Sequence, residues 1–188
     1  MKDDIERLQV RVNKAFALRQ KCMQDMMKYT SENDSLYIKK INALNEKYYL
    51  LNEKLDYLKS EFIASDNEIE IKRFGNNVCN RYNIYIKGKG LKVGYIDYRG
   101  YHNSIVLGDI GYVIDYRYRG NNYAYKALCL LSNYLYENNI PDFYISVFHD
   151  NIPSIKTIRK YGGGMIIKKD NMITTYQCET REKERVFK

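Results

Sequence analysis

Hydrophobic positions in the first third of the chain fall on two helical stripes. Ile41, Leu44, Tyr48, Leu51, Leu55, Leu58 and Phe62 step alternately by three and four residues, which makes three heptads of an a/d seam. Ile5, Leu8, Val12 and Ala15 begin a second stripe, continued less cleanly by Cys22 and Met26. The stripes are out of register. Between them Thr30-Ser31-Glu32-Asn33-Asp34-Ser35 is polar and rich in residues that cap helix N-termini. The pattern predicts two helices, about 3–29 and 35–63, folded into a hairpin. Two roles suit such an arm: a homodimer coiled coil or partner-protein handle, or a hairpin packed on its own domain.

Past Ser65 the period drops to two. Glu68 to Lys72 alternates, with Ile69 and Ile71 on one side, as a half-buried strand does. Gly75-Asn76-Asn77 reads as a turn, Arg81 to Lys87 as a strand, Gly88-Lys89-Gly90 as a second turn and Leu91 to Tyr98 as a third strand. The short glycine-containing connection makes the last two an antiparallel hairpin. Ile105 to Asp115 continues the strands, with Gly108 or Gly111 as a bulge or a point of close approach. The apolar residues of 123–138 return to helical spacing. Phe143 to Phe148 is a continuous apolar strand of the buried kind. Strand, crossover helix and strand of this length predict a right-handed βαβ unit, with 110–115 and 143–148 as parallel neighbours. Pro153 opens a helix over about 152–161, Gly162-Gly163-Gly164 closes it, and 165–169 with 173–179 form a last hairpin around Asp170-Asn171. The charged tail from Thr180 is expected to fray. The organisation is α/β with a mixed sheet: a helical extension over 1–64 and a sheet-and-helix domain over 65–188.

Composition narrows the partners. The chain of 188 residues is 45% apolar and 29% charged, as globular chains are, and has no apolar run long enough to span a membrane. The N-terminus lacks an apolar signal core, so secretion is not indicated. Cys22, Cys79, Cys129 and Cys178 lie far apart without metal-ligand spacing, so no metal is expected and reduced thiols of a cytoplasmic protein are the simplest assignment. The net charge of +8 is uneven: 1–64 carry 12 Lys/Arg against 10 Asp/Glu, and the remainder 19 against 13. An excess on the C-terminal part suits an anionic ligand, a nucleotide cofactor or nucleic acid; it equally serves solubility.

The stretch Ile110 to Ala124 carries the candidate chemistry. A β-branched strand runs into Arg117 to Asn122, which holds two arginines, one glycine and two asparagines, and then into a helix. Glycine and asparagine tolerate left-handed backbone. Such a loop gathers main-chain N–H groups at a helix N-terminus, where the dipole adds positive potential, and Arg117 and Arg119 add more. That is an anion site, and phosphate its commonest guest.

These residues resemble the GNAT superfamily of acyl-CoA-dependent N-acyltransferases. The family's phosphate loop, Arg/Gln-x-x-Gly-x-Gly/Ala, is met here by Arg119-Gly120-Asn121-Asn122-Tyr123-Ala124, and its Asn-x-x-Ser/Ala block by Asn151-Ile152-Pro153-Ser154 before Lys160-Tyr161-Gly162-Gly163. The hairpin with Lys92-Val93-Gly94-Tyr95-Ile96 is similar to the family's second and third strands. The likeness covers about 68–179. Three places depart. Asn122 replaces the loop's central glycine, Gly163 replaces an aromatic, and Ile158 stands where many relatives carry the tyrosine that protonates the leaving thiolate. The helices that wall the family's acceptor site also have little room between Phe74 and Arg81, so either the N-terminal helices replace them or the acceptor face is open, as suits a large acceptor.

The resemblance implies a central mixed sheet flanked by helices, and transfer of an acetyl or other acyl group from acetyl-CoA to an amine by direct attack. Main-chain N–H groups of Arg119, Gly120, Asn121, Asn122, Tyr123 and Ala124 would hold the pyrophosphate. The edge of Tyr112, Val113 and Ile114 would pair with the pantetheine arm and supply an oxyanion donor. Asn151 and Ser154 would line the opposite wall, and Lys156, Arg159 and Lys160 would meet the outer phosphate. The attacking amine must lose a proton. Asp109 and His149 are the candidate bases, His149 because it follows the buried strand at its C-terminal end; Tyr123 and Tyr161 are weaker candidate acids. The acceptor is a small molecule, a protein or aminoacyl-tRNA. The competing reading is a degenerate GNAT fold that binds partners without catalysis.

Overall fold

The computed structural model describes residues 2–28, 34–73, 80–100 and 108–182. The chain divides into two compact units, Met1–Lys59 and Ser60–Lys188.

The first unit is the hairpin the stripes predict, made of α1 (Lys2–Lys28) and α2 (Asp34–Lys59). Leu8, Val12 and Ala15 bury against Leu51 and Leu55, with Ile5, Tyr48 and Leu58 packed around them. Two side-chain bonds fix the antiparallel register, Lys59 Nζ to Gln9 Oε1 at 2.8 Å and Arg19 Nε to Asn45 Oδ1. The polar run 30–33 and the side chain of Met26 lie outside the described residues.

The second helix stops earlier than its stripe. After Ser60 the chain turns extended, and β1 (Glu61–Ser65) replaces the helix expected as far as residue 63. Phe62 continues the heptad count but is exposed on this strand, while Ile63 and Ala64 pack against the domain core. Strand pairing wins over helical spacing because β2 (Ile69–Arg73) lies antiparallel alongside. The Asp66 carboxylate closes the turn between them by accepting from Glu68 N and Ile69 N at 2.7 and 2.8 Å.

The second unit holds two sheets. The first runs β1-β2-β3-β4-β5, with β3 (Asn80–Ile86), β4 (Leu91–Tyr98) and β5 (Ile110–Ile114), every pair antiparallel. The second runs β6-β8-β7, with β6 (Asp142–Phe148), β7 (Met165–Lys169) and β8 (Ile173–Glu179). Helix α3 (Tyr123–Glu137) joins β5 to β6, and α4 (Ile152–Tyr161) follows β6. α3 is buried almost all round: Ala127, Leu128, Leu131 and Leu135 sit within one core with Ile71, Ile84, Ile96, Phe143 and Ile158. Burying each leucine, isoleucine or phenylalanine among them contributes about 1.5–3 kcal/mol.

The parallel β5–β6 ladder expected from the βαβ spacing is not formed. Among the described residues, the hydrogen bonds between them lie at their base. Asp109 N donates to Tyr144 O at 2.7 Å, and Tyr144 N donates to the Asp109 carboxylate at 2.9 Å. A side chain thus takes the place of the next main-chain acceptor, and beyond it the strands diverge. Gly108 allows this closeness. Its φ is +68°, and a Cβ there would stand 2.7 Å from Ser146 N. Gly111 is the second close approach, with the Arg99 guanidinium lying over it.

The expected fraying does not begin at Thr180. Its hydroxyl donates to Ile140 O at 2.6 Å, and the Arg181 guanidinium lies 4.3 Å from the centre of the Tyr161 ring. The turn at 75–77 lies outside the described residues, as does Cys79, while Cys22, Cys129 and Cys178 are buried free thiols. No helix among the described residues is long and apolar enough to cross a membrane.

Candidate functional site

The divergence of β5 from β6 opens a cleft of about 840 Å³. β5 forms one wall, the first turns of α4 the other, and the loop 115–122 with the first turn of α3 closes one end. Ladder alternation sets what β5 presents. Asp115 N bonds to Val93 O and Arg99 N to Asp109 O, so residues 109, 111, 113 and 115 turn their main-chain groups toward β4. The main-chain groups of Tyr112 and Ile114 therefore face the open edge.

The loop folds as its composition requires. Gly120 has φ +86°, with nothing within 4 Å of the position a Cβ would take. Asn122 adopts φ 58° and ψ 16°, left-handed, as the best non-glycine residue there can. It is the N-cap of α3 yet makes no side-chain cap, so its amide leaves the N–H groups of the first turn to another acceptor. Arg119 Nε donates to Ile114 O at 3.1 Å and ties the loop to the strand end. The Asn121 amide turns back to Tyr118 O at 3.1 Å and does not line the cleft.

Arg117 does not serve the site. It pairs with Asp115 at 2.8 Å, on the solvent side of the loop. The guanidinium and its N–H groups hold the Asp115 carboxyl down at about 2, and the pairing pushes Arg117 above its ordinary value. Among the described residues the positive groups that line the cleft are Arg119, Lys156 and Lys160, and Lys160 Nζ stands 4.6 Å over the Tyr125 ring.

Of the other expected residues, Tyr112, Val113, Ile114, Arg119, Gly120, Asn122, Tyr123, Ala124, Asn151 and Ser154 come together in the cleft walls. Asn151 also caps α4, its Oδ1 accepting from Ser154 N at 3.2 Å. The candidate bases do not join them. Asp109 is fully buried at the junction of the strands, where its carboxylate is the strut just described. His149 is anchored away from the cleft, Nε2 to Thr174 Oγ1 at 3.0 Å and N to Met172 O at 2.9 Å. Tyr161 is buried too. Its hydroxyl bonds to Ser132 Oγ and Glu179 O, both at 2.6 Å, and burial raises its phenol well above the ordinary value. Arg159 is exposed and does not line the cleft.

Tyr118, Tyr125 and Thr157 line the cleft without having been expected. Thr157 could have been found from sequence, since it falls three residues after Ser154 on the same helix face. Among the described residues, no group of three or more His, Cys, Asp or Glu side chains could hold a metal ion.

Comparison with known proteins gives the fold a context. An acetyltransferase of the GNAT family from Bacillus anthracis superposes with a TM-score of 0.55 at 15% identity, covering 64% of this chain and 99% of that one. RimL, a ribosomal L7/L12 α-N-protein acetyltransferase, gives 0.49 at 13% identity, covering 64% and 94%. An acetyltransferase from Agrobacterium tumefaciens gives 0.46 at 20%, covering 53% and 60%. No curated protein sequence matches the chain. Residues 23–163, which include every residue of the cleft, match the acetyltransferase (GNAT) domain, and the chain belongs to that family.

Proposed function

We propose that the chain transfers an acyl group, acetyl in the simplest case, from a CoA thioester to an amine by direct attack. One observation carries this reading: a left-handed glycine–asparagine loop opens α3 beside a strand edge whose main-chain groups face a cleft with no acidic residue among its described lining. The N–H groups of Gly120 to Ala124 suit a diphosphate, with the α3 dipole behind them. Arg119, Lys156 and Lys160 supply the countercharge. The edge at Tyr112 and Ile114 suits the amide-bearing arm of the same molecule, and a main-chain N–H there suits the oxyanion of the attacked carbonyl. Asn151 and Ser154 face it from α4.

The acceptor class stays as the sequence frames it, an amine on a small molecule, a protein or aminoacyl-tRNA. A large acceptor suits the short connection between β2, which ends at Arg73, and β3, which begins at Asn80. The helical hairpin is proposed as the partner-binding or homodimer arm, because Val10, Leu36, Tyr49 and Leu50 remain exposed on it.

Two measurements test the reading. Acetyl-CoA at millimolar concentration should raise the melting temperature, and thiol release should appear with at least one member of a panel of amines, free-N-terminus peptides and aminoacyl-tRNA. Stabilisation without thiol release from any acceptor would favour the non-catalytic binding module. Absence of both would remove the CoA reading altogether.

A further inference from the structure

The lining of the cleft poses a chemical question. Among the seventeen described residues that line it, none is an aspartate, glutamate, histidine or cysteine. The acyl transfer proposed above ends with a thiolate leaving inside this space, and a thiolate out of water needs a proton. The lining offers three cations, which serve phosphates, and four phenols: Tyr112, Tyr118, Tyr123 and Tyr125.

Position separates the four. Tyr118, Tyr123 and Tyr125 belong to the loop and the first turn of α3, at the diphosphate end. Tyr125 is further engaged with Cys129 and the Lys160 ammonium. Tyr112 alone rises from the middle of β5. Its side chain shares a face with Ile110 and Ile114 and crosses the cleft to α4. There its hydroxyl lies 3.5 Å from the Ser154 carbonyl oxygen, beside Thr157. The Ser154 and Thr157 side chains also bond to the phenol and favour its ionised form, which eases release of the proton. The Ser154 carbonyl opens the helical turn that ends at Ile158, which is apolar and buried and has no proton to give.

We infer that the Tyr112 phenol is the proton donor to the departing thiolate, an assignment that rests on the acyl-transfer reading. The amine nitrogen forms the bond to the acyl carbon. The carbon–sulfur bond breaks and its electron pair goes to sulfur. The Tyr112 O–H proton passes to sulfur to give the thiol. The phenolate recovers a proton from the nitrogen, which sheds one as the amide forms, through water in the cleft. Burial keeps the Tyr112 phenol protonated, above its ordinary value, and the same burial raises the basicity of the thiolate it serves. One residue thus offers the cleft two donors, its main-chain N–H at the strand edge and its hydroxyl across the gap.

Tyr112→Phe tests this, because it keeps the ring and removes only the hydroxyl. Wild-type protein is first assayed with acetyl-CoA against spermidine, free amino acids, unblocked peptides and aminoacyl-tRNA. If none turns over, the acyl-transfer reading falls, and this assignment with it. With an active acceptor in hand, Tyr112→Phe should lower kcat about 100-fold. Its affinity for acetyl-CoA, from calorimetry, should stay within about threefold, well under a tenfold, 1.4 kcal/mol step. The residual rate should rise with imidazole buffer at fixed pH, since an external acid replaces the missing one, whereas the wild-type rate should not. A variant with wild-type kcat, or one whose lost rate matches lost acetyl-CoA affinity and ignores buffer, overturns the assignment while leaving the acyl-transfer reading intact.

Discussion

Two glycines with positive φ allow the contact at the root of the cleft to be weighed. Gly108 and Gly120 have φ of +68° and +86°, so an alanine at either position adopts left-handed backbone. That conformation costs about 1–2 kcal/mol in both. Their surroundings differ. At Gly120 the added carbon meets nothing within 4 Å, whereas at Gly108 it stands 2.7 Å from Ser146 N and 2.9 Å from Tyr144 O. These are main-chain atoms of β6, so relief requires the strand to withdraw. Withdrawal stretches the 2.7 Å bond from Asp109 N and the 2.9 Å bond to its carboxylate. A neutral bond contributes about 0.5–1.5 kcal/mol and one to a charged group about 1.5–3 kcal/mol. Gly108→Ala should therefore destabilise by about 3 kcal/mol more than Gly120→Ala. Urea unfolding, followed by circular dichroism, measures the difference. With a slope of about 2 kcal/mol per molar, the Gly108 midpoint should fall roughly 1.5 M further. Coincident midpoints would refute the claim that the two sheets are joined by close contact at this point.

Three further outcomes follow from the same geometry. Asn122→Val places a β-branched residue at φ 58° and should weaken acetyl-CoA binding roughly tenfold, with Asn122→Gly close to wild type by calorimetry; equal affinity for all three would dissociate the loop from binding. Tyr161→Phe breaks the relay from Arg181 N through Ser132 Oγ and the phenol to Glu179 O, and should cost about 1–3 kcal/mol in thermal unfolding. Burial pushes the Cys129 thiol up to about 11 and Cys178 up to about 12, so iodoacetamide at pH 8 should leave both intact until the protein unfolds. Because folding raises both values from 9.0, their contribution to stability is complete below about pH 9 and declines as pH climbs toward 12. A melting temperature that rose over that range would contradict it.

What the sequence disclosed was set by local patterning. The helical stripe of α3, the Gly88–Gly90 turn and the left-handed propensity of Asn122 are each written in neighbouring residues, and the cleft walls followed from them. Long-range competition was not legible. Phe62 fits the heptad and still lies on a strand, because β2 offers a ladder that spacing alone does not reveal. Asp109 and His149 carry the right chemistry for a base, yet one bonds to Tyr144 N and the other to Thr174, partners 35 and 25 residues away, and neither lines the cleft. Arg117 lies in the anion-site loop, but its guanidinium pairs with Asp115, two residues earlier. Tyr112 was expected for its main chain alone, since nothing in a strand pattern tells how far a phenol reaches.

The Asp109 strut has a consequence for how the domain breathes. Two blades pinned at their root can scissor but cannot slide. Amide hydrogens near the pin, on Asp109 and Tyr144, should exchange with solvent only when the whole domain opens. Those of Tyr112 and Ile114, a few residues along the same blade, should exchange freely and become protected when a ligand fills the gap.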